Sequence, residues 1–256
     1  MDEKRSTIIT IIILSSIILV FTAGDLIQKD RFYSELENKV LAAKPEFSLE
    51  AVFEGEYTKK YETYLTDQFV GREKWIRMKT RMDLALQKKE INGVYLGAGG
   101  YLIEQHLPQD YSSVQETKKI FLLEKLVESW NAQVMLVPTA DNILRDKLPA
   151  YALYYDEAGF LEQVENRVGT EHYIDVYSAM QSHADEEIYY RTDHHWTTLG
   201  AYYGYLVWRE AGERTEEGYD ADAMETVTES FLGTLHSKVN LKMRPDTIRY
   251  FPESEE

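Results

Sequence analysis

One stretch of the chain, Tyr189-Tyr190-Arg191-Thr192-Asp193-His194-His195-Trp196-Thr197-Thr198-Leu199-Gly200, gathers the groups that can move a proton. A histidine able to accept a proton, with a carboxylate that orients its ring and stabilises the cation, is the smallest unit of acid–base catalysis. Asp193 and His195 pair in this way if the backbone turns between them. In an extended chain they share one face and His194 points to the other, so the pairing favours His195 in either case. Thr197 or Thr198 reads as the N-cap of a helix containing Ala201, Tyr202, Tyr205, Leu206 and Trp208. His195 then stands just ahead of a helix N-terminus, whose positive end favours the neutral ring. The plainer account is a capping and hydrogen-bonding cluster without catalysis. A metal site is not expected: Asp193, His194 and His195 offer donors, but adjacent ligands rarely face one ion, and His106, His172, His183 and His236 lack a ligand spacing. Gly97-Ala98-Gly99-Gly100 has no following Lys-Ser/Thr and is no phosphate loop, so no cofactor is expected either.

The elements that must hold these groups read as α/β. Gly93-Val94-Tyr95-Leu96-Gly97 and Tyr101-Leu102-Ile103 form a hairpin around Ala98-Gly99-Gly100. Ser112 or Ser113 caps a helix running to about Trp130, with Ile120, Leu123, Leu126 and Val127 inside. Val134-Met135-Leu136-Val137 is a continuous apolar strand of the kind buried in parallel sheets. A helix over Phe160 to Val168 and a strand at Tyr173-Ile174-Asp175-Val176 follow. This alternation implies crossover units and a parallel sheet with flanking helices, in which ligands sit beyond the carboxyl ends of the strands. Thr139 and Asp141 lie there, as do Tyr177 to Met180.

Residues 6–24 carry no charge and are rich in Ile, Leu and Val, matching the ~20 residues needed to cross a bilayer. The run exceeds the apolar core of a usual signal peptide. It reads as an uncleaved single-pass membrane anchor after a cytoplasmic lead, residues 1–5, with the main domain outside the cell. Lys4 and Arg5 before it are balanced by Lys29 and Arg31 after it, so the orientation rests on the shortness of the lead. Residues 25–90 read as a helical stalk: Leu36, Val40 and Leu41 recur at helical spacing, a second helix from Ser48 or Glu54 carries Tyr57, Tyr61, Tyr64 and Leu65, and a third after Gly71 buries Trp75, Met78, Met82 and Leu86. The stalk is also a candidate for docking another subunit. Residues 91–256 form the main domain. A net charge of -16 argues against nucleic-acid binding, and the absence of cysteine removes disulfides, thiolate zinc sites and Cys nucleophiles. The 19 tyrosines suit surfaces that meet glycans, although packing at core edges accounts for them more simply.

The Asp193-His194-His195-Trp196 element resembles the signature of the bacterial DHHW family, and an Asp-x-His-Trp pattern before a helix is similar to the SGNH-like domains of alginate and related exopolysaccharide O-acetyltransferases. Ser34 to Leu41 with Pro45, Asp67-Gln68-Phe69, Gly71-Arg72, the Gly93 to Gly97 hairpin, Val137-Pro138-Thr139 and Gly233-Thr234-Leu235-His236-Ser237-Lys238 extend the resemblance over most of the chain. It implies an SGNH-hydrolase-like fold and O-acylation or deacylation of an extracellular polysaccharide. Asp193 takes the orienter's place and His195 the base's, and His194, Trp196, Thr139, Asp141, Ser237 and Lys238 are expected nearby. The alternative is a non-catalytic glycan-binding or accessory protein partnering a multi-span membrane acyltransferase.

The resemblance also implies a nucleophile in an Asp-Ser element on a later strand, and this sequence has no Asp-Ser dipeptide. Ser178 and Thr139 follow strands but lack a recognisable nucleophile turn, and Ser237 lies within the Gly233 to Lys238 element, where substrate contact or loop support fits as well. The expectation is a domain incomplete at its C-terminus, where the sequence stops at Pro252-Glu253-Ser254-Glu255-Glu256, and without turnover on a small acetyl ester.

Overall fold

The computed structural model describes residues 3–212 and 220–252. The first two residues of the expected lead, and the last four residues on which the expected incompleteness partly rests, lie outside the described residues. The chain is a mixed helix and sheet protein with an apolar N-terminal helix, divided into two compact units, Met1–Met82 and Asp83–Glu256.

In the first unit, α1 (Glu3–Ile27) is long and apolar enough to cross a membrane, and its isoleucines and leucines are exposed. Its final turns are tied to the rest of the unit. Phe21 stacks on Phe69 with ring centroids 5.5 Å apart, and the Val70 amide donates to Asp25 Oδ1 at 2.7 Å. The segment around Leu36 to Leu41 is not helical: β1 (Tyr33–Ser34) pairs antiparallel with β2 (Lys39–Val40). Asn38 at φ 48° supplies the left-handed residue of the turn, and the Glu37 amide donates to Ser34 Oγ, an alternative that competes with the helix. α2 (Leu49–Phe53) is capped by Ser48, and α3 (Glu56–Gln68) carries Tyr57 stacked on Tyr61, with Tyr64 tilted against Tyr61. Buried Gln68 donates from Nε2 to the carbonyls of Arg31 and Ala42 and accepts from the Arg31 amide, closing the unit around the hairpin. α4 (Arg72–Ala85) reverses the expected amphipathicity: Trp75, Met78 and Met82 are exposed, as is Leu86 just beyond it, while Thr80 and Asp83 are buried. Apolar periodicity marks a face, not the side on which that face is covered.

In the second unit, β3 (Glu90–Ile91), β4 (Val94–Leu96) and β5 (Leu102–Glu104) form an antiparallel sheet in that order. Asn92 and Gly93, at φ 52° and 74°, make the first turn, the pair of positive φ values that two-residue hairpins require. α5 (Ser113–Trp130) ends at left-handed Asn131 and leads into β6 (Val134–Met135). α6 (Ala140–Ile143) and α7 (Glu157–Val168) follow, and β7 (Tyr173–Ile174) returns parallel to β6, pairing Val134 with Tyr173. Among the described residues this pair is the only parallel ladder, so the expected parallel sheet is present only in outline. The apolar run Val134 to Val137 contributes two paired residues, not four. α5 and α7 cover the pair through Ile120, Val127, Leu161, Val164 and Val168.

α8 (Val176–Ser182), α9 (Thr198–Ala211), β8 (Glu225–Phe231), α10 (Thr234–Val239) and β9 (Asp246–Tyr250) complete the unit, with β8 antiparallel to β9. A second core of Tyr95, Tyr101, Ile103, Leu144, Val176, Met180, Ile188 and Tyr189 is packed by Trp196, Leu199 and Tyr203, so α9 and the segment before it share one foundation. Gly200 makes that contact close: a Cβ there would meet the Ile188 carbonyl oxygen at 2.3 Å. Gly200→Ala is therefore expected to cost about 1–3 kcal/mol, the usual range for overpacking. A thermal melt should show a midpoint several degrees below the parent's, and an unchanged midpoint would mean that α9 is not seated on Ile188.

Candidate acid–base site

The motif sits in a loop closed by its own neighbours. Tyr189 and Trp196 form an antiparallel bridge, the Tyr190 amide donates to the His195 carbonyl at 3.2 Å, and the Thr197 amide donates to that of Ile188 at 2.9 Å. Buried Asp246, at the start of β9, holds the loop from beneath. It accepts from the Arg191 amide at 3.0 Å, the Thr192 amide at 2.8 Å and the Thr192 hydroxyl at 2.6 Å. The same hydroxyl accepts from the Gly233 amide at 3.0 Å, and the Thr192 carbonyl accepts from the His236 amide at 3.0 Å. The loop is thereby fixed to β9 and to the start of α10.

Asp193, 4 % exposed, is the electrostatic centre. Its Oδ1 accepts from the His195 amide at 3.0 Å and pairs with His195 Nδ1 at 2.5 Å. Its Oδ2 accepts from the Thr234 amide at 2.8 Å and the Thr234 hydroxyl at 2.9 Å. Burial raises the carboxyl pKa, but the donors of Thr234 and His195 together outweigh it and hold the group down at about 2. Gly233 permits this approach, since a Cβ there would lie 2.3 Å from Asp193 Cβ.

Proton bookkeeping follows from these contacts. An ionised carboxylate can only accept, so His195 Nδ1 carries the proton, and in the neutral ring Nε2 keeps its lone pair. That ring is 65 % exposed, and Nε2 has no partner among the described residues. His194 Nδ1 lies 2.9 Å from Thr234 Oγ1, whose own proton goes to Asp193, so His194 also donates from Nδ1. Asp193 thus orients one imidazole directly and the other through Thr234. The two rings lie 3.9 Å apart. One ligand atom from each of Asp193, His194 and His195 falls within 4.8 Å of the others, a spacing that could hold a metal ion. Binding through the Nδ1 atoms would require both to give up the protons just described.

Trp196 lies under the loop, its ring against Gly204 of α9, and Thr197 caps α9 by accepting from the Gly200 amide at 3.2 Å. Thr139 and Asp141 belong to a separate buried network. The Thr139 hydroxyl lies 2.6 Å from Asp141 Oδ1 and 2.8 Å from Glu157 Oε2, and His106 Nδ1 lies 3.3 Å from Asp141 Oδ2. Burial pushes the Glu157 carboxyl up, and the Asp141 carboxylate 3.3 Å away pushes the His106 imidazole up. Ser237 Oγ is turned back to the Gly233 carbonyl at 3.5 Å, and Lys238 pairs with Glu104 at 2.5 Å. No serine hydroxyl among the described residues is hydrogen-bonded to His195. Thr234 and Asp246, which do most to build the site, went unpredicted; the resemblance of Gly233 to Lys238 was the available signal for Thr234, and Asp246 carried none.

The profile of the DHHW family ("DHHW protein") matches residues 131–254. Among solved structures, the chain is similar to a DHHW family protein from Eubacterium siraeum, at 26% identity over 64% of this chain and 56% of that one, with a TM-score of 0.50. It is also similar to the O-acetyltransferase domain of Pseudomonas putida AlgJ, at 21% identity over 61% and 63% of the two chains (TM-score 0.48). A further similarity is to Bacillus cereus PatB1, at 17% identity over 60% and 56% (TM-score 0.46). The chain thus spans little more than half the length of the DHHW structure it matches. Comparison with curated proteins finds no match.

The depressed Asp193 pKa has a signed consequence. Unfolded, this carboxyl titrates at ~3.9; folded, it titrates at about 2. Its contribution to stability is present above pH ~4 and is lost as pH falls from there through the folded value. Urea unfolding between pH 5 and pH 2 should therefore show a steeper acid loss for the parent than for Asp193→Asn. Parallel curves would mean that the carboxylate gains nothing from its donors.

Proposed function

From the match of residues 131–254 to the DHHW family profile, we propose that the protein is an SGNH-like cell-surface protein acting in O-acylation or deacylation of an extracellular polysaccharide. The observation that carries the reading is the Asp193–His195 pair, with Nδ1 held at 2.5 Å and Nε2 directed away from the carboxylate. Such a pair does one thing well. As a hydroxyl oxygen attacks an acyl carbonyl, its proton passes to Nε2 and the imidazolium is stabilised by Asp193; the proton then returns to the departing oxygen as the acyl bond breaks. His194 lies outside this transfer and orders the Thr234 side of the carboxylate. α1 serves as a retained single-pass anchor that keeps the site outside the membrane, where polysaccharide is met.

One observation favours a second reading, an accessory protein that binds glycan or partners a membrane acyltransferase: no serine hydroxyl among the described residues reaches His195. The two readings separate in the producing bacterium. On the catalytic reading, His195→Ala and Asp193→Asn alter polysaccharide O-acyl content as strongly as deletion of the gene, with the protein still present in the membrane fraction; loss of a general base costs on the order of 10²–10⁴-fold in rate. His194→Ala has the smaller effect. O-acyl content that changes on deletion but survives both dyad substitutions would establish the accessory role and remove the catalytic one.

A further inference from the structure

α4 presents to the outside side chains that water does not favour. Trp75, Met78 and Met82 are 44, 46 and 59 % exposed, whereas Thr80 is 3 % exposed. At ~100° per residue, the three apolar side chains form one stripe, with Lys74 and Arg81 along one edge and Lys79 along the other. Every exposed charged residue of α4 is basic: Lys74, Arg77, Lys79 and Arg81. Glu73 is held by Arg31 at 2.6 Å, Arg72 pairs with Glu37 at 2.8 Å, and Asp83 is buried. This basic, apolar-striped surface stands out in a chain of net charge -16.

The first turn of α4 lies against the end of α1. The Trp75 ring lies 5.8 Å from that of Phe21, Phe21 stacks on Phe69, and a Cβ on Gly24 would meet Val70 at 3.2 Å. Phe21 lies within the uncharged run that ends at Gly24. At ~1.5 Å per residue, its ring lies roughly one helical turn inside that end. Trp75 is therefore carried at the depth where a bilayer changes from acyl chain to headgroup, the level that Trp side chains prefer. A helix starting there, apolar on one stripe and basic along its edges, has the make-up of an in-plane interfacial helix.

We infer that α4 lies on the outer leaflet of the membrane, with Trp75, Met78 and Met82 in the acyl boundary and Lys74 and Arg81 reaching up to lipid phosphates. The inference rests on the reading of α1 as a retained anchor. It makes the juxtamembrane unit a seat on the lipid surface in place of a free stalk. The long Lys and Arg stems cover the edges of the stripe while their charges stay at the headgroups.

The natural lack of cysteine makes the test direct. Spin labels are placed through Met78→Cys, Met82→Cys, Arg77→Cys and, in the middle of the span, Ile13→Cys, each in the full chain reconstituted in phosphatidylethanolamine–phosphatidylglycerol vesicles. Collision with lipid-soluble oxygen is compared with collision with an aqueous nickel chelate. The oxygen-to-nickel ratio at 78 and 82 should exceed that at 77 several-fold, and Lys74→Glu with Arg81→Glu should collapse the difference. Equal ratios at 77, 78 and 82 with Ile13→Cys still in lipid would overturn the inference and leave the anchor standing. Labels at 78 and 82 shielded from both reagents would mean that protein covers the stripe, and a difference indifferent to the charge reversal would remove the phosphate contacts; either outcome contradicts the inference. A nickel-accessible label at 13 would defeat the anchor reading itself and this inference with it.

Discussion

The carboxylate of Asp193 is the interaction on which the candidate site depends. Its oxygens receive the amide and ring of His195 on one side and the amide and hydroxyl of Thr234 on the other. One set of donors comes from the motif loop and the other from the first residue of α10, so a single charge joins two segments some forty residues apart. Taking a carboxylate out of water costs several kcal/mol unless it is met by hydrogen bonds, and those bonds are worth most when the acceptor is ionised. The burial that makes Asp193 expensive therefore also compels the fold to complete its ring of donors. Removing the carboxylate would leave the amides of His195 and Thr234, the His195 ring and the Thr234 hydroxyl without their acceptor.

Asp246 does the same work one residue earlier, accepting from Arg191 and Thr192. Thr192 joins Asp246 to the residue before α10 by donating to Asp246 and accepting from Gly233. The chemical difference between the two histidines follows from this arrangement. His195 meets the charge directly, so a proton taken at Nε2 is stabilised at once. His194 meets it through the neutral hydroxyl of Thr234, which carries much less of that stabilisation.

Much of this was legible in the residues. The Asn92-Gly93 turn, the helix from Ser113, the strand at Val134 and the Thr197 cap all carry local signals that no tertiary contact overrides. The pairing of Asp193 with His195 over His194 was also legible, because a turn or an extended chain gives the same partner. Features decided at a distance were not. Nothing local to Asp246 says that it will meet Thr192, fifty-four residues away. The hairpin at Tyr33 to Val40 mimics a helical spacing until Asn38 is seen in the left-handed region. Thr139 and Asp141 stand beyond a strand end as expected, yet they bond to Glu157 and His106 instead of the dyad, since strand order alone does not say which neighbour a loop meets. Trp75, Met78 and Met82 show the same limit from the other side: the sequence marks an apolar face, and only the folded unit shows that it points outward.

The chemistry of the dyad turns on where one proton sits. If Asp193 fixes His195 with Nδ1 as donor and Nε2 as acceptor, nitrogen-15 NMR of the imidazole, at a pH where the ring is neutral, should show a protonated Nδ1 and a bare Nε2. Asp193→Asn should abolish that preference, as the amide can turn its NH2 toward the ring. A parent protein whose neutral His195 carries its proton on Nε2 would contradict the account, because the nitrogen facing outward would then be unable to accept a proton from any attacking hydroxyl.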